Sequence, residues 1–417
     1  MRIKSRNQRI VFAVAGLLGT IVYLLLASKL FLASHLAAIP NQSALQRAIQ
    51  LEPSNAEYHD RMGQYLTRNA VKPETAITQY QAATNLNPYA ARYWLDLVGA
   101  YLLAGRTKEQ GESLEHALHA DPTTPRVAWE AGIFFLSAGD RDRALNNFRV
   151  VLSSDSGMAP QALELCWRAT SDTNVVLDEA LPKRSDSYLA FLKLLIDKKQ
   201  TSGARTVWNR LIALKQPVAL RSALPYFRFL LEQREVAAAV LGWQQLAALN
   251  PNLSSYLPSP ANRVVNGGFE ERVLDGGFDW TYSPKAHVDI AIDTSEFHSG
   301  TRSLSITFDG QNPGDAGIYQ LIPAKPNTQY QFSAAYRTED LVTASGPRLS
   351  ISDAYSGQSY VLGDDVMGST PWRVEQAQFR TGPDTSLLLL RVIRQPGSPL
   401  IKGKLWIDDL QLVESAD

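Results

Sequence analysis

The chain is poor in cysteine and has no excess of charge. Among its 417 residues the only cysteine is Cys166, so no disulfide bond can form within the chain. A single thiol is compatible with an oxidising compartment but does not indicate one. Cys166 lies in the helical pattern LELCWRA, which favours a small core side chain over a nucleophile. Basic and acidic side chains balance at 41 each, so the sequence lacks the global basic field of nucleic-acid-binding proteins.

Motifs of common enzyme classes are also missing. The sequence has no glycine-rich phosphate-binding loop and no G-x-S-x-G nucleophile motif. Its glycine pairs, Gly267–Gly268 and Gly276–Gly277, are typical of turns. Glu270 with Asp279 or Asp408 would supply the two carboxylates of a glycosidase, but carboxylates in turn motifs are usually structural. We therefore predict a protein that is not an enzyme, with a glycoside hydrolase as the less favoured alternative.

One long apolar run is present near the N-terminus. Residues 10–32 read IVFAVAGLLGTIVYLLLASKLFL, and Lys29 is the only charge among them. A helix of about 20 apolar residues crosses the hydrocarbon core of a bilayer. Basic residues precede the run at Arg2, Lys4, Arg6 and Arg9. By the positive-inside rule, they predict a cytoplasmic tail at residues 1–9, a transmembrane anchor at residues 10–33 and an extracytoplasmic remainder.

A cleaved signal peptide is the alternative interpretation of this run. Cleavage requires small residues at both the −3 and −1 positions of the cut site. A cut after Ala37 places His35 at −3, and a cut after Ala38 places Leu36 there. We therefore expect the helix to be retained as a single-pass anchor.

Residues 41–252 repeat with a period of about 34 residues. Similar text recurs before prolines that are 34 or 35 residues apart: AIQLEP, AATNLNP and HALHADP, with QLAALNP later in the chain. Small residues such as Gly63, Gly132 and Ala144 lie where the two helices of a unit approach closely. This pattern resembles the tetratricopeptide repeat. The resemblance implies a solenoid of helix pairs whose concave face binds a protein partner.

The pattern of the sequence changes after the repeats. Residues 253–261 (LSSYLPSPA) are rich in serine and proline, and they predict a linker. Beyond them, stretches such as Ser303–Phe308 and Tyr330–Tyr336 alternate apolar and polar residues. Short alternating strands separated by turn signals predict an antiparallel β-sandwich at residues 262–417.

An ordered set of motifs runs through this second region. VVNGGFEE, GGFDWTY, HSGTRSLSI and KLWIDDLQL follow one another from residue 264 to residue 412. In this order and spacing they resemble the carbohydrate-binding modules of families 4 and 9, which are attached to bacterial xylanases and cellulases. The resemblance implies a galactose-binding-like jelly roll, a polysaccharide ligand and a bacterial envelope.

Sugar binding requires flat aromatic faces for pyranose rings and planar polar groups for hydroxyls. Tyr355 and Tyr360 lie in the polar stretch DAYSGQSY, which favours their exposure. The candidate carbohydrate-binding residues are Trp280, Tyr282, Tyr319, Arg348, Tyr355, Gln358 and Tyr360.

Many members of the same family hold a structural calcium ion near the first and last strands. Calcium prefers hard oxygen ligands from carboxylates and carbonyls, and it fixes loops together. The alternative is that Glu270 and Asp408 pair with Arg302 or cap turns. The positions that match the family's calcium site are Glu270, Ser299, Gly300, Asp408 and Asp409.

The sequence thus predicts a multidomain protein with an N-terminal transmembrane helix, an all-α tetratricopeptide-like solenoid and an all-β jelly-roll sandwich. We expect a scaffold anchored in a bacterial inner membrane with its N-terminus in the cytoplasm. The repeats would bind a protein partner and the jelly roll a polysaccharide, in exopolysaccharide or cell-envelope assembly. The alternative is a purely protein-binding scaffold in which the jelly roll is structural.

Overall fold

The computed structural model describes residues 6–70, 73–154, 157–394 and 400–415. Arg2 and Lys4 of the predicted cytoplasmic tail lie outside these ranges. The chain divides into two compact units, Met1–Pro182 and Lys183–Asp417. The first unit is helical, and the second joins four helices to a β-sandwich.

Helix pairs build the first unit. Their hairpins bring small residues of one helix against aromatic rings of the next: a Cβ on Gly63 would lie 2.6 Å from the ring of Tyr80, and one on Gly132 would lie 2.6 Å from Phe148. The close approach predicted from the repeat is therefore present. The helices are α1 (Arg6–Ala37), α2 (Gln42–Leu51), α3 (Ala56–Tyr65, continued by a π-helix at Leu66–Ala70), α4 (Pro73–Leu86), α5 (Ala91–Leu103), α6 (Thr107–Ala120), α7 (Pro125–Ser137), α8 (Arg141–Ser153), α9 (Ala159–Thr170) and α10 (Thr173–Val175, continued by a π-helix at Val176–Ala180).

Helix α1 contains the predicted anchor and continues beyond it. Its segment Ile10–Ala37 is long and apolar enough to cross a membrane. At its C-terminal end Ala33 and Ala37 are buried against Ala48 of α2 and Tyr58 of α3. The helix therefore enters the first repeat without a spacer.

Cys166 lies on α9, where it is fully buried. Burial raises the pKa of its thiol to about 12. A thiol in that environment stays protonated and packs as a small apolar side chain.

The second unit begins with four helices that pack around aromatic side chains. Trp208 of α12 stacks on Tyr226 of α13, and Phe227 of α13 packs edge-on against Trp243 of α14. These helices are α11 (Ser185–Asp197), α12 (Thr201–Ala213), α13 (Leu220–Glu232) and α14 (Val236–Leu249).

The segment predicted as a linker is not a free spacer. Pro251–Tyr256 form a 3₁₀-helix in which Leu253 and Tyr256 are buried. The indole N–H of Trp243 donates to the carbonyl of Tyr256, and the Tyr256 hydroxyl donates to the carbonyl of Arg272 at 2.6 Å. Because this tyrosine connects α14 to the start of the sandwich, the segment fixes the two parts together.

Two five-stranded antiparallel sheets form the sandwich. Sheet A has the order β1-β4-β9-β6-β7, and sheet B has the order β2-β3-β10-β5-β8. Alternate residues such as Ile318 and Leu390 of sheet A and Phe332 and Leu405 of sheet B meet in the core between them. The strands are β1 (Thr281–Tyr282), β2 (Val288–Asp293), β3 (Ser303–Asp309), β4 (Asp315–Pro323), β5 (Gln329–Val342), β6 (Arg348–Asp353), β7 (Ser359–Leu362), β8 (Gly368–Arg380), β9 (Leu387–Ile393) and β10 (Lys402–Glu414).

Candidate functional site

A cleft of about 800 Å³ lies between helix α13 and the outer face of sheet A, within the second unit. Strand alternation explains which residues face it. On β4, Ile318 and Ile322 point into the sandwich core, so Tyr319 and Leu321 between them point outward into the cleft. The helix supplies the opposite wall with Arg221, Leu224, Pro225, Arg228, Leu231 and Glu232.

The loop at residues 274–277 forms the floor of the cleft, and its glycines allow it to pack closely on the helices. Gly277 has a φ of +68°, and a Cβ there would lie 2.4 Å from the ring of Trp243. Gly276 approaches Leu224 of α13 in the same way. Phe278 follows them and packs edge-on against Trp243, with 6.1 Å between ring centroids. The GGFDW motif therefore fixes the sandwich to the last helix pair.

Asp279 holds this loop from inside. It is 1% exposed, and its Oδ2 accepts the backbone N–H of Leu274 at 2.6 Å. Burial raises the pKa of Asp279 to about 7. Its Oδ1 is buried and has no hydrogen-bond partner among the described residues, which explains why the charged form is disfavoured.

Tyr355 closes one end of the cleft. Its hydroxyl donates to the carbonyl of Leu231 at 2.8 Å, and the guanidinium of Arg234 lies 5.0 Å from its ring centroid. Burial raises the pKa of the Tyr355 hydroxyl. This residue was predicted to be exposed for sugar binding. In the structure its hydroxyl is hydrogen-bonded to α13, while part of the side chain still lines the cleft.

Two of the seven sugar-binding candidates, Tyr319 and Tyr355, line the cleft. Trp280 is 2% exposed because its indole stacks on Phe269 in the core, so the expectation that it offers a sugar-stacking face needs correction. Tyr282 packs against the same core, and burial raises its pKa.

The other three candidates lie on sheet A or beside it. Arg348 is engaged in an ion pair with Asp365 at 2.7 Å, which leaves it less free to bind a ligand than predicted. The hydroxyl of Tyr360 lies 2.6 Å from Thr385 Oγ1, and Gln358 beside it is exposed.

The sequence interpretation missed Arg221 and Arg228, which lie in a region read as repeat scaffold. Their spacing of seven residues places both on one face of a helix, and this was the only available signal. Nothing in the sequence indicated that this helix face meets a sheet.

The calcium candidates lie close together, but their carboxylate oxygens already accept hydrogen bonds from the protein. Glu270 accepts hydrogen bonds from the N–H groups of Thr301 and Arg302, and the hydroxyl and N–H of Thr301 lower the pKa of Glu270. Asp408 accepts the N–H groups of His298 and Ser299.

Asp409 is also engaged, since it accepts the hydroxyl of Ser299 at 2.7 Å and lies 2.6 Å from the ring nitrogen Nδ1 of His298. Gly300 packs against Glu270, where a Cβ would collide with the carboxylate. These oxygens are chemically suited to calcium, but among the described residues no three acidic, histidine or cysteine side chains form a metal cluster. As arranged here, the residues fit turn capping better than a calcium cage, and calcium binding stays a prediction.

A comparison with known protein families finds a match in the C-terminal region of the chain. Residues 261–399 match the family model described as a carbohydrate binding domain, of families 4 and 9. No curated protein matches the chain.

Several solved structures are similar to parts of the chain. The CBM22-1 xylan-binding domain from Paenibacillus barcinonensis Xyn10C is 18% identical, with a TM-score of 0.26, and the match covers 36% of this chain and 93% of that one. TmCBM61 in complex with β-1,4-galactotriose is 20% identical, with a TM-score of 0.27 and coverage of 37% and 99%. A tetratricopeptide repeat protein from Parabacteroides merdae is 15% identical, with a TM-score of 0.29 and coverage of 50% and 85%. Residues 261–399 of the second unit therefore match a carbohydrate-binding domain, and they follow a region built of helix pairs.

Proposed function

We propose that this protein is a membrane-anchored scaffold that binds glycan on the extracytoplasmic side of a bacterial inner membrane, in exopolysaccharide or cell-envelope assembly. One observation carries the proposal: the region that matches a carbohydrate-binding domain contains a sheet face with an open cleft and an aromatic side chain in it. The cleft volume lies within the range of about 300–1,000 Å³ that is usual for ligand pockets. The helical repeats then provide the surface for a protein partner.

Tyr319 is the residue best placed to contact a sugar ring. It is half-buried on β4, and its cross-strand neighbours are Thr281 on β1 and Arg391 on β9. An aromatic face beside a hydroxyl and a guanidinium suits a pyranose, which has an apolar face and polar edges. A binding role of this kind requires no catalytic group.

Replacing Tyr319 with alanine is expected to weaken polysaccharide binding roughly tenfold, because the variant loses the stacking surface. The full chain in detergent micelles is tested on a polysaccharide array, and dissociation constants are measured for the ligands that bind. Tyr89→Ala is the matched control, since Tyr89 is 84% exposed in the α4–α5 loop of the first unit. Failure of the wild-type chain to bind any polysaccharide would leave the protein-scaffold alternative. Release of reducing sugar from a bound polysaccharide would instead show an enzyme.

The anchor geometry supports a protein held close to the membrane surface. Residues 10–32 span about 35 Å as a helix at about 1.5 Å per residue, enough for a hydrocarbon core of about 30 Å. Ala33 is fully buried in the first repeat, so the protein fold begins where this span ends.

Labelling with a membrane-impermeant maleimide tests the orientation. Cys166 is buried and unreactive, so Tyr89→Cys introduces the one accessible thiol of the described residues. We expect labelling of this variant in intact spheroplasts, whereas Ser5→Cys in the predicted cytoplasmic tail should be labelled only after lysis. If Tyr89→Cys is labelled only after lysis, the orientation of the chain is the reverse of the one proposed. A chain released without its first 37 residues would show a cleaved signal sequence.

A further inference from the structure

The wall of the cleft that faces sheet A is not part of the sandwich but belongs to helix α13. We propose that side chains of α13 contact the bound glycan and that Arg221 and Arg228 make this site selective for acidic glycans. This inference rests on the proposed glycan-binding function. It assigns recognition to residues outside the region that matches a carbohydrate-binding domain.

Contacts at two points hold α13 against loops of the sandwich that border the cleft. Near its start, Leu224 packs on Gly276 of the floor loop. Near its end, the carbonyl of Leu231 accepts the hydroxyl of Tyr355 at 2.8 Å. Arg221 and Arg228 lie on the same helix face as these two leucines, because positions separated by three, four or seven residues share one face. Both arginines therefore line the cleft rather than the opposite surface.

The two guanidinium groups are available to a ligand. Both side chains are exposed, and within the described part of the chain neither forms an ion pair or a side-chain hydrogen bond. The wall thus offers two exposed cationic donors to the cleft.

Two carboxylates, Asp275 and Glu232, also line the cleft, so its lining carries two cationic and two anionic side chains. The Oδ1 of Asp275 accepts the N–H of Tyr282 at 2.9 Å, so this group is engaged by its own loop. Glu232 follows Arg228 by one turn, at the C-terminal end of α13. Arg221 and Arg228 are thus the only cationic side chains among the described lining residues, and they lie opposite the aromatic and apolar wall of β4.

A sugar carboxylate is the group that this arrangement recognises best. A guanidinium donates two parallel hydrogen bonds to a carboxylate, and such charge-assisted bonds are roughly twice as strong as neutral ones. A pyranose carrying a carboxylate, as in a uronic acid, would place its ring on Tyr319 and its charge toward Arg221 and Arg228. A neutral hexose of the same shape would gain only neutral hydrogen bonds from the same groups.

The experiment compares each uronic-acid polysaccharide with its own carboxyl-reduced form. Polygalacturonate, alginate and hyaluronate are used, each with a derivative in which the carboxylates are reduced to hydroxymethyl groups. The full chain in detergent micelles should bind at least one acidic polymer roughly tenfold or more tightly than its reduced form. This preference should shrink as salt is raised, because exposed charges are screened.

The double variant Arg221→Gln/Arg228→Gln should lose the preference while its unfolding temperature stays unchanged, since both side chains are exposed. Lys215→Gln/Lys402→Gln is the matched control, because it removes two positive charges from exposed positions outside the cleft. We expect this control to bind acidic polymers like the wild-type chain.

The possible failures are distinguishable. If the wild-type chain binds neither form of any polysaccharide, the proposed function fails and the inference fails with it. If it binds acidic and reduced forms equally and the arginine variant behaves like the control, glycan binding stands and the role of α13 is overturned. If the arginine variant loses both forms equally, α13 shapes the site but the preference for acidic glycans is wrong.

Discussion

Replacing Gly277 with alanine is expected to destabilise the second unit by about 2–5 kcal/mol. A non-glycine residue at its φ of +68° costs about 1–2 kcal/mol, and overpacking a filled site costs about 1–3 kcal/mol more. The added Cβ would meet Trp243, whose ring cannot move aside easily. It is fully buried and packed against Phe227 and Phe278, and its N–H is bonded to the carbonyl of Tyr256.

Gly357→Ala provides a matched control for the cost of placing a non-glycine residue at a positive φ. Gly357 has a φ of +75°, and its Cβ position has no other described atom within 4 Å. Its alanine variant should therefore lose only about 1–2 kcal/mol. Chemical denaturation of both variants, followed by tryptophan fluorescence, measures the difference. Equal losses would show that the floor loop does not pack on Trp243.

The same comparison extends to function. If the loop at residues 274–277 forms the cleft floor, Gly277→Ala should weaken glycan binding as well as stability. Gly357→Ala should leave binding close to the wild-type value, because Gly357 does not line the cleft.

The stability of the second unit is expected to fall as the pH rises from 5 to 8, because of Asp279. Its pKa is about 7 in the folded chain and close to 3.8 in the unfolded chain. Between these values the folded state binds the proton and the unfolded state does not, so each added pH unit favours unfolding. The stabilisation is complete below pH 4 and is lost as the pH rises through 7. A shift of about three pKa units corresponds to roughly 4 kcal/mol, as an order of magnitude.

Asp279→Asn should flatten this pH dependence and make the unit more stable than the wild type above pH 7. The amide oxygen can still accept the N–H of Leu274, but the side chain no longer acquires a buried charge. Asp289→Asn on β2 is the control, since Asp289 is exposed and should leave the slope unchanged. Thermal unfolding between pH 5 and pH 8 measures all three proteins. Parallel curves for wild type and Asp279→Asn would contradict the assignment.

The first unit also contains a carboxyl group with a raised pKa, so its effect on the unfolding curves must be separated from that of Asp279. Asp60 of α3 is 1% exposed, and burial, together with the neighbouring Asp96, raises its pKa well above the usual range of a carboxyl group. Gln64 donates to both carboxylates, at 3.0 and 2.9 Å. Asp60→Asn therefore removes this contribution to the pH dependence of the first unit, so that the contribution of Asp279 in the second unit is easier to measure.

Local patterns in the sequence were enough to predict the sequence of folds along the chain. The apolar run, the 34-residue period and the two-residue alternation are properties of neighbouring residues, and each is tied to one kind of backbone geometry. The contacts of Gly63 and Gly132 with aromatic rings confirm that reading for the repeats. The alternation along β3 and β5 likewise separated core from outer residues, because a strand turns successive side chains to opposite faces.

Tertiary structure alone decided where the site lies. The sequence named Tyr319 as a sugar-binding candidate, but it did not reveal that α13 lies across the face of sheet A where Tyr319 points, with Arg221 and Arg228. The sequence also did not show that Trp280 of the GGFDW motif, a sugar-binding candidate, is buried. Nor did it show that Gly277 of this motif packs against Trp243. These outcomes depend on contacts between residues tens of positions apart, which are set by how complete surfaces fit together. A single sequence carries no periodic signal for such contacts, and for this reason the helical wall of the cleft became visible only in the folded chain.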